Sequence, residues 1–330
     1  MGDPYILMLV ALAVLAIVDL VVGVSNDAVN FLNSAIGSKA MSVRNIMIIA
    51  SLGVFFGAIT SSGMMEVARK GIFNPSMFMF QDIMFIFMAV MITDILLLDI
   101  FNSLGMPTST TVSIVFELLG AAVCISLIKI SANDSQSFSD IWNYINHKKA
   151  IQIINGILLS VVVAFSVGAV VQFFSRLIYS FNFEKRATYI NALFGGFAIT
   201  AITYFIIIKG MKGTPFYSNV KGLIEGNTIT IIAGSFVAWS IISQLLIQFL
   251  KVNVLKLIIG IGTFSLAMAF SGNDLVNFVG VPIAAWNSYE AWSISGVSAD
   301  AFSMGILAKK VPSNVYLLLL AGAIMVVALW

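Results

Sequence analysis

Two stretches of the chain carry the same oxygen-bearing side chains at the same spacing. They are VSNDAVNF at 24–31 and SGNDLVNF at 271–278, the second repeating the first 247 residues later. Asn26, Asp27 and Asn30 thus correspond to Asn273, Asp274 and Asn277. Residues four apart share a helix face, so Asn26 and Asn30 would stand together with the Asp27 carboxylate beside them, and likewise in the second copy. Each stretch reads as the end of a hydrophobic helix. With carbonyls freed by a helix break, these oxygens suit a hard cation such as Na⁺. The plainer reading is a polar clamp between helices whose amides bond backbone. One copy fits either reading, and a repeated pair favours the cation.

A second group is the run Gly105-Met106-Pro107-Thr108-Ser109-Thr110-Thr111, set between two apolar segments. Proline suits a first helical turn and hydroxyls cap its exposed N–H groups. A helix N-terminus fenced by hydroxyls is also an anion site. Taken alone, the run is a cap. Its significance comes from the carboxylate–amide pairs that could share a pocket with it: two aspartates and a phosphate-like dianion repel one another unless cations lie between them. Neither ligand would then bind well without the other.

The elements that position these groups follow from composition. Of 330 residues, 60% are hydrophobic and 10% charged, with mean hydropathy +1.03, against about 25% charged in a soluble domain. This predicts an all-α polytopic membrane protein, because backbone in lipid must be paired within its own helix. The ten-residue alternation of an outer-membrane barrel is missing. Apolar runs predict helices at about 5–25, 44–62, 80–101, 112–130, 153–180, 187–208, 228–250, 254–271 and 313–330, with polar connectors at 63–78, 131–149, 209–227 and 287–312. The N-terminal apolar run has no basic flank and reads as a retained first helix. Net charge +2 gives no reason to expect nucleic acid.

If the segment around 104–111 dips in and returns, six crossings separate the helix at 5–25 from that at 254–271, and the two run oppositely. That is the pattern of an inverted-topology repeat with broken or re-entrant helices. Residues 1–130 form the first repeat, 131–253 the connecting loops and helices, and 254–330 the start of the second. Lys39 and Arg44 favour one orientation, Lys148, Lys149, Lys209 and Lys212 the other.

The remaining polar residues carry weaker signals. Asp19, Asp94 and Asp99 lie in apolar helices, where they line a pathway or serve helix ends and pairing. Glu117 is a candidate protonatable relay or packs neutral against a hydroxyl. His147 is a loop residue, and Cys124 an apolar filler. The 16 methionines and 26 phenylalanines are packing, with no sign of a cofactor box.

These motifs resemble the inorganic phosphate transporters of the PiT type, whose hallmark is a duplicated G-A-N-D-V-A-N-A sequence followed by P-T-S-T. The resemblance runs along nearly the whole chain. It implies an inverted repeat, Na⁺ or H⁺ as the coupling ion, Asn26, Asp27, Asn30, Asn273, Asp274 and Asn277 at the cations, and Thr108, Ser109, Thr110 and Thr111 at phosphate. Glu66, in MMEVARKGIF, matches a glutamate associated with transport in that family. The first copy has Ser25 and Phe31 and the second Phe278 where the hallmark has alanine, and Val112 stands where a histidine often follows the hydroxyls.

The expectation is a cation-coupled phosphate transporter of the inner or plasma membrane, with no cofactor, no nucleic acid and an oligomeric state that includes a homo-oligomer. The rivals are a carrier of another oxyanion such as sulfate, an intramembrane lipid-phosphate enzyme, and a receptor or assembly subunit. Asp27 precedes Pro107 by 80 residues, so a second hairpin would fall near 354, and the chain reads as the N-terminal part of a longer transporter.

Overall fold

The computed structural model describes residues 3–61, 71–179, 188–210, 215–308 and 315–330. Those residues are nearly all helical, and their extended pairing is limited to the isolated bridges Phe73 to Ile145 and Met79 to Ser303. The helices are α1 (Pro4–Ser38), α2 (Val43–Thr60), α3 (Phe80–Ser103), α4 (Thr110–Ser131), α5 (Ile141–Tyr144), α6 (His147–Ile178), α7 (Thr188–Phe205), α8 (Pro215–Gly226), α9 (Thr228–Leu250), α10 (Val254–Ser295) and α11 (Val315–Leu329). Eight of them, α1 to α4, α6, α7, α9 and α10, are long and apolar enough to cross a membrane, as the hydropathy predicts.

Three boundaries differ from the sequence reading. α1 and α10 continue through the two N-D-x-x-N motifs instead of ending at them, and α10 extends through the first part of the connector predicted at 287–312. The third is α8, which lies inside the connector expected at 209–227. The physical reason for the first is a comparison of magnitudes. Keeping Asn or Asp in a helix interior forfeits about 0.7 kcal/mol at most, whereas a break in hydrocarbon leaves backbone groups unpaired at several kcal/mol each.

The chain folds into two compact units that interleave along the sequence. The first holds Met1–Asn30, Val54–Gln152 and Phe270–Trp330. Here α1 buries Leu9, Leu12, Ala16, Leu20 and Val24, spaced at three and four, and leaves Val10, Val14, Ile17 and Val21 exposed. Asp19, Asn26 and Asp27 fall on the buried stripe. α3 does the same with Ile83, Phe87, Val90 and Leu98, and Asp94 lies among them. At one end of this unit Phe80 stacks on Trp292 with centroids 4.6 Å apart, Tyr5 packs edge-on against both, and the Tyr289 hydroxyl donates to Asp3 at 3.1 Å. The start of α1, the start of α3 and the end of α10 therefore meet there, as an aromatic cluster typical of a membrane interface. Farther along, Gly23 of α1 faces the buried ring of Phe278 of α10. These two contacts make α1 antiparallel to α10 within the unit.

The second unit holds Phe31–Gly53 and Ile153–Ala269. α7 and α9 pack closely because Gly195 and Gly196 leave room for Ser243 and Ser240. Gly53 of α2 likewise lies against Phe264 and Ala267 of α10. From Ile153 onward α6 is exposed along nearly its whole length and largely apolar.

Gly23 sets the closest approach of α1 and α10, since a methyl group there would overlap the Phe278 ring. Gly23→Ala should destabilise the purified protein by about 1–3 kcal/mol through overpacking, read as a lowered melting temperature in detergent. Adding Phe278→Leu should recover part of the loss. An unchanged melting temperature in the single variant would contradict this packing.

Candidate functional site

Residues Gly105–Ser109 form the turn of a helical hairpin built from α3 and α4, with Gly105 at φ +67° where a Cβ would be strained. Ser109 is the N-cap of α4, its hydroxyl accepting from Val112 N–H at 3.4 Å. The turn lies against the interiors of α1 and α10, not their ends. The Asn26 amide donates to Asn102 Oδ1 at 2.9 Å and to the Met106 carbonyl at 3.2 Å, and its oxygen accepts from Thr108 N–H at 2.8 Å. Asn102 in turn donates to the Val22 carbonyl at 3.0 Å. One asparagine thus satisfies both a donor and an acceptor of the turn.

On α10, the Thr110 and Thr111 hydroxyls donate to Asp274 Oδ1 at 3.1 and 3.2 Å. Asn277 donates to Thr111 Oγ1 at 2.9 Å and to Asp274 Oδ1 at 3.0 Å. Asn30 makes the matching bond to Asp27 Oδ1 at 3.2 Å, so each copy of the motif closes the same i, i+3 link. Thr110 also lies close enough to Asp27 to interact with its carboxyl. A single hydroxyl hydrogen cannot serve two carboxylates at once, so this buried threonine stands between two acids with one proton to offer. Asn26, Asp27, Thr110 and Asn277 are all buried. Asp274 lies near the middle of the 42-residue α10, which at 1.5 Å per residue spans about 63 Å, so the hairpin tip is well inside the helix length.

The structure brings Asn26, Asp27, Asn30, Asp274, Asn277, Thr110 and Thr111 together around the tip. It leaves Asn273 exposed and without a hydrogen-bond partner among the described residues. Of the hydroxyl run, Thr108 engages through its backbone, and Ser109 is exposed and serves as the cap. No break interrupts either helix at its motif; α10 does carry Pro282 in its interior, whose missing N–H leaves the Phe278 carbonyl without its usual intrahelical donor. Glu66 lies outside the described residues. Asp99 is exposed. Asn102 was not singled out by sequence, since an asparagine at the end of an apolar helix ordinarily reads as a terminal cap.

The arrangement is that of a multi-pass integral membrane protein of the cell membrane built around a polar centre within its helices. The chain belongs to the phosphate transporter family, whose model matches residues 23–330. A protein of Pyrococcus abyssi named as a phosphate permease is 25% identical over 313 residues, covering 90% of this chain and 68% of that one. A similarly named protein of Thermococcus kodakarensis is 26% identical over the same shares. A solved structure named the sodium-dependent phosphate transporter aligns with 97% of this chain and 74% of its own, at TM-score 0.70 and 21% identity. The family and these relatives are transporters and permeases, so the lipid-phosphate enzyme is set aside.

Replacing Asn26 by alanine strands the Met106 carbonyl and the Thr108 N–H together. Both bonds are part-buried, and each one lost costs about 0.5–1.5 kcal/mol, so Asn26→Ala should lower the melting temperature and open the 104–109 turn to protease. Asn26→Asp keeps the acceptor for Thr108 and should be milder in the melt. Equal stability of Asn26→Ala and wild type would show that the amide does not hold the turn.

Proposed function

We propose that this chain carries inorganic phosphate across the cell membrane together with a coupling cation, Na⁺ in the first instance. Phosphate is held at the N-terminal turn of α4 by Thr108, Ser109, Thr110 and Thr111. The cation oxygens come from Asn26, Asp27 and Asn30 on α1 and from Asn273, Asp274 and Asn277 on α10. The observation that carries this reading is that the Thr110 and Thr111 hydroxyls at the start of α4 donate to Asp274 while Asp27 lies close beside Thr110. Two carboxylates converging on a helix N-terminus need positive charge between them. Once it is supplied, the same place turns favourable to an anion: the first N–H groups of α4 have no intrahelical acceptor and the helix dipole points its positive end at the tip. Family membership supports phosphate as the substrate, and the sodium-dependent structural relative supports Na⁺ over H⁺.

In this reading the motif-bearing helices are an inverted pair, 1–130 forming the first repeat and 254–330 belonging to the second. Its support is the antiparallel course of α1 and α10 and the identical Asp–Asn link in each copy. Phosphate binding displaces the Thr110 and Thr111 hydroxyls from Asp274, and the cation replaces the positive character they supplied.

Uptake of labelled phosphate into proteoliposomes, with and without an inward Na⁺ gradient, tests the proposal. Uptake should require the gradient. Asp27→Asn and Asp274→Asn should reduce it far more than the exposed Asp99→Asn, since unbalancing a desolvated charge pair costs about 3–5 kcal/mol. Normal Na⁺-dependent uptake in both variants would refute the cation assignment. Ser109→Ala with Thr110→Ala removes two neutral donors worth about 0.5–1.5 kcal/mol each, so phosphate affinity by calorimetry should fall roughly tenfold and not vanish. Unaltered affinity would make these hydroxyls caps alone.

A further inference from the structure

Asp19 of α1, Asp94 of α3 and Glu117 of α4 meet below the hairpin tip, one carboxyl from each element. Asp19 and Asp94 are 0% exposed and Glu117 is half-buried. All six carboxyl oxygens are shielded, and none accepts from an N–H or hydroxyl of a neighbouring residue. Asp94 is central, its carboxyl close enough to interact with those of Asp19 on one side and Glu117 on the other. Among the described residues no lysine, arginine or histidine pairs with any of the three. The one basic residue late in α4, Lys129, is taken by Asp82 at 2.6 Å. The other charged group facing the cluster is Asp27, within electrostatic reach of Asp94 on the α1 side and eight residues from Asp19, about 12 Å along the helix.

Three ionised carboxylates in this position would have nothing to balance them. A contact between two carboxyl groups is repulsive unless a hydrogen lies in it. With no basic side chain paired to any of the three among the described residues, a hydron is the ligand that turns each carboxyl–carboxyl contact from repulsive to attractive.

We propose that Asp19, Asp94 and Glu117 form a proton-binding site holding two protons: the Asp19 and Glu117 carboxyls each donate to the Asp94 carboxylate, leaving one net negative charge. Because the three acids come from α1, α3 and α4, the site closes only when the hairpin is seated on α1, so seating the hairpin binds two protons and lifting it releases them. Glu117 gives the exchange route. It lines a groove of about 530 Å³ between α3 and α4 that also takes in Thr93, Thr108 and Ser113, and so connects the acids with the hairpin tip.

Infrared spectroscopy of the purified protein at neutral pH tests this without phosphate or transport, so its outcome is separate from that of the uptake assay. Buried protonated carboxyls give a C=O stretching band, shifted in D₂O, that ionised carboxylates lack. Glu117→Gln and Asp19→Asn replace a donating O–H by a donating N–H and should preserve the fold. Each should remove about half of the band assigned to this cluster in the wild-type-minus-variant spectrum, and the double variant all of it. Absence of a protonated carboxyl band in the wild type, or an identical band in the double variant, would overturn the proposal. If the double variant fails to fold, the two single-variant difference spectra decide it by the same criterion.

Discussion

The seating of the α3–α4 turn on Asn26 is the contact on which the rest of the site depends. A turn between two helices leaves N–H and C=O groups without intrahelical partners, and here neighbouring side chains supply them. Asn26 supplies a donor to Met106 and an acceptor to Thr108, while Asn102 ties the end of α3 back to α1 through Val22. Once those bonds are made, the direction of α4 is set, and its first residues are delivered to Asp274. The turn and the first residues of α4 are therefore placed by one amide that touches neither acid.

Continuity of the long helices is the second constraint. A discontinuous helix would offer freed carbonyls directly, and the sequence reading expected one at each motif. The chain keeps α1 and α10 unbroken and instead carries a proline inside α10, which releases one carbonyl without unwinding a turn. Polar side chains in these helices find local partners, as Ser25 does with the Val21 carbonyl at 2.8 Å and Asn30 with Asp27. Such links let a helix carry carboxylates inward while its own backbone ladder stays whole.

Much of this was legible in the sequence, for reasons that differ by feature. Membrane helices declare themselves because some twenty apolar residues in a row have few other uses, and eight of the predicted segments are long apolar helices here. The motif residues were legible because their spacing repeats. Helix ends were not, since the residues that usually stop a helix in water are held inside one when hydrocarbon makes a break more expensive. Asn102 and the cluster of Asp19, Asp94 and Glu117 were invisible as a set: they lie on separate helices, and only the hairpin's packing on α1 makes them neighbours. Phe278, a departure from the hallmark alanine, becomes intelligible only beside Gly23, whose missing side chain is the space its ring fills.

The two copies of the motif are alike within themselves and unlike in their surroundings, and that difference follows from the hairpin. Asp27 and Asp274 each take one bond from the asparagine three residues on. Asn26 is buried by the turn, whereas its counterpart Asn273 is exposed. One hairpin cannot present its turn to both asparagines, because its far side is already occupied by the Thr110 and Thr111 contacts to Asp274. The first copy therefore receives the backbone of the tip and the second receives its hydroxyls. Equal motifs thereby acquire unequal roles, α1 as the support of the turn and α10 as the partner of its side chains, with Thr110 the residue on which both converge.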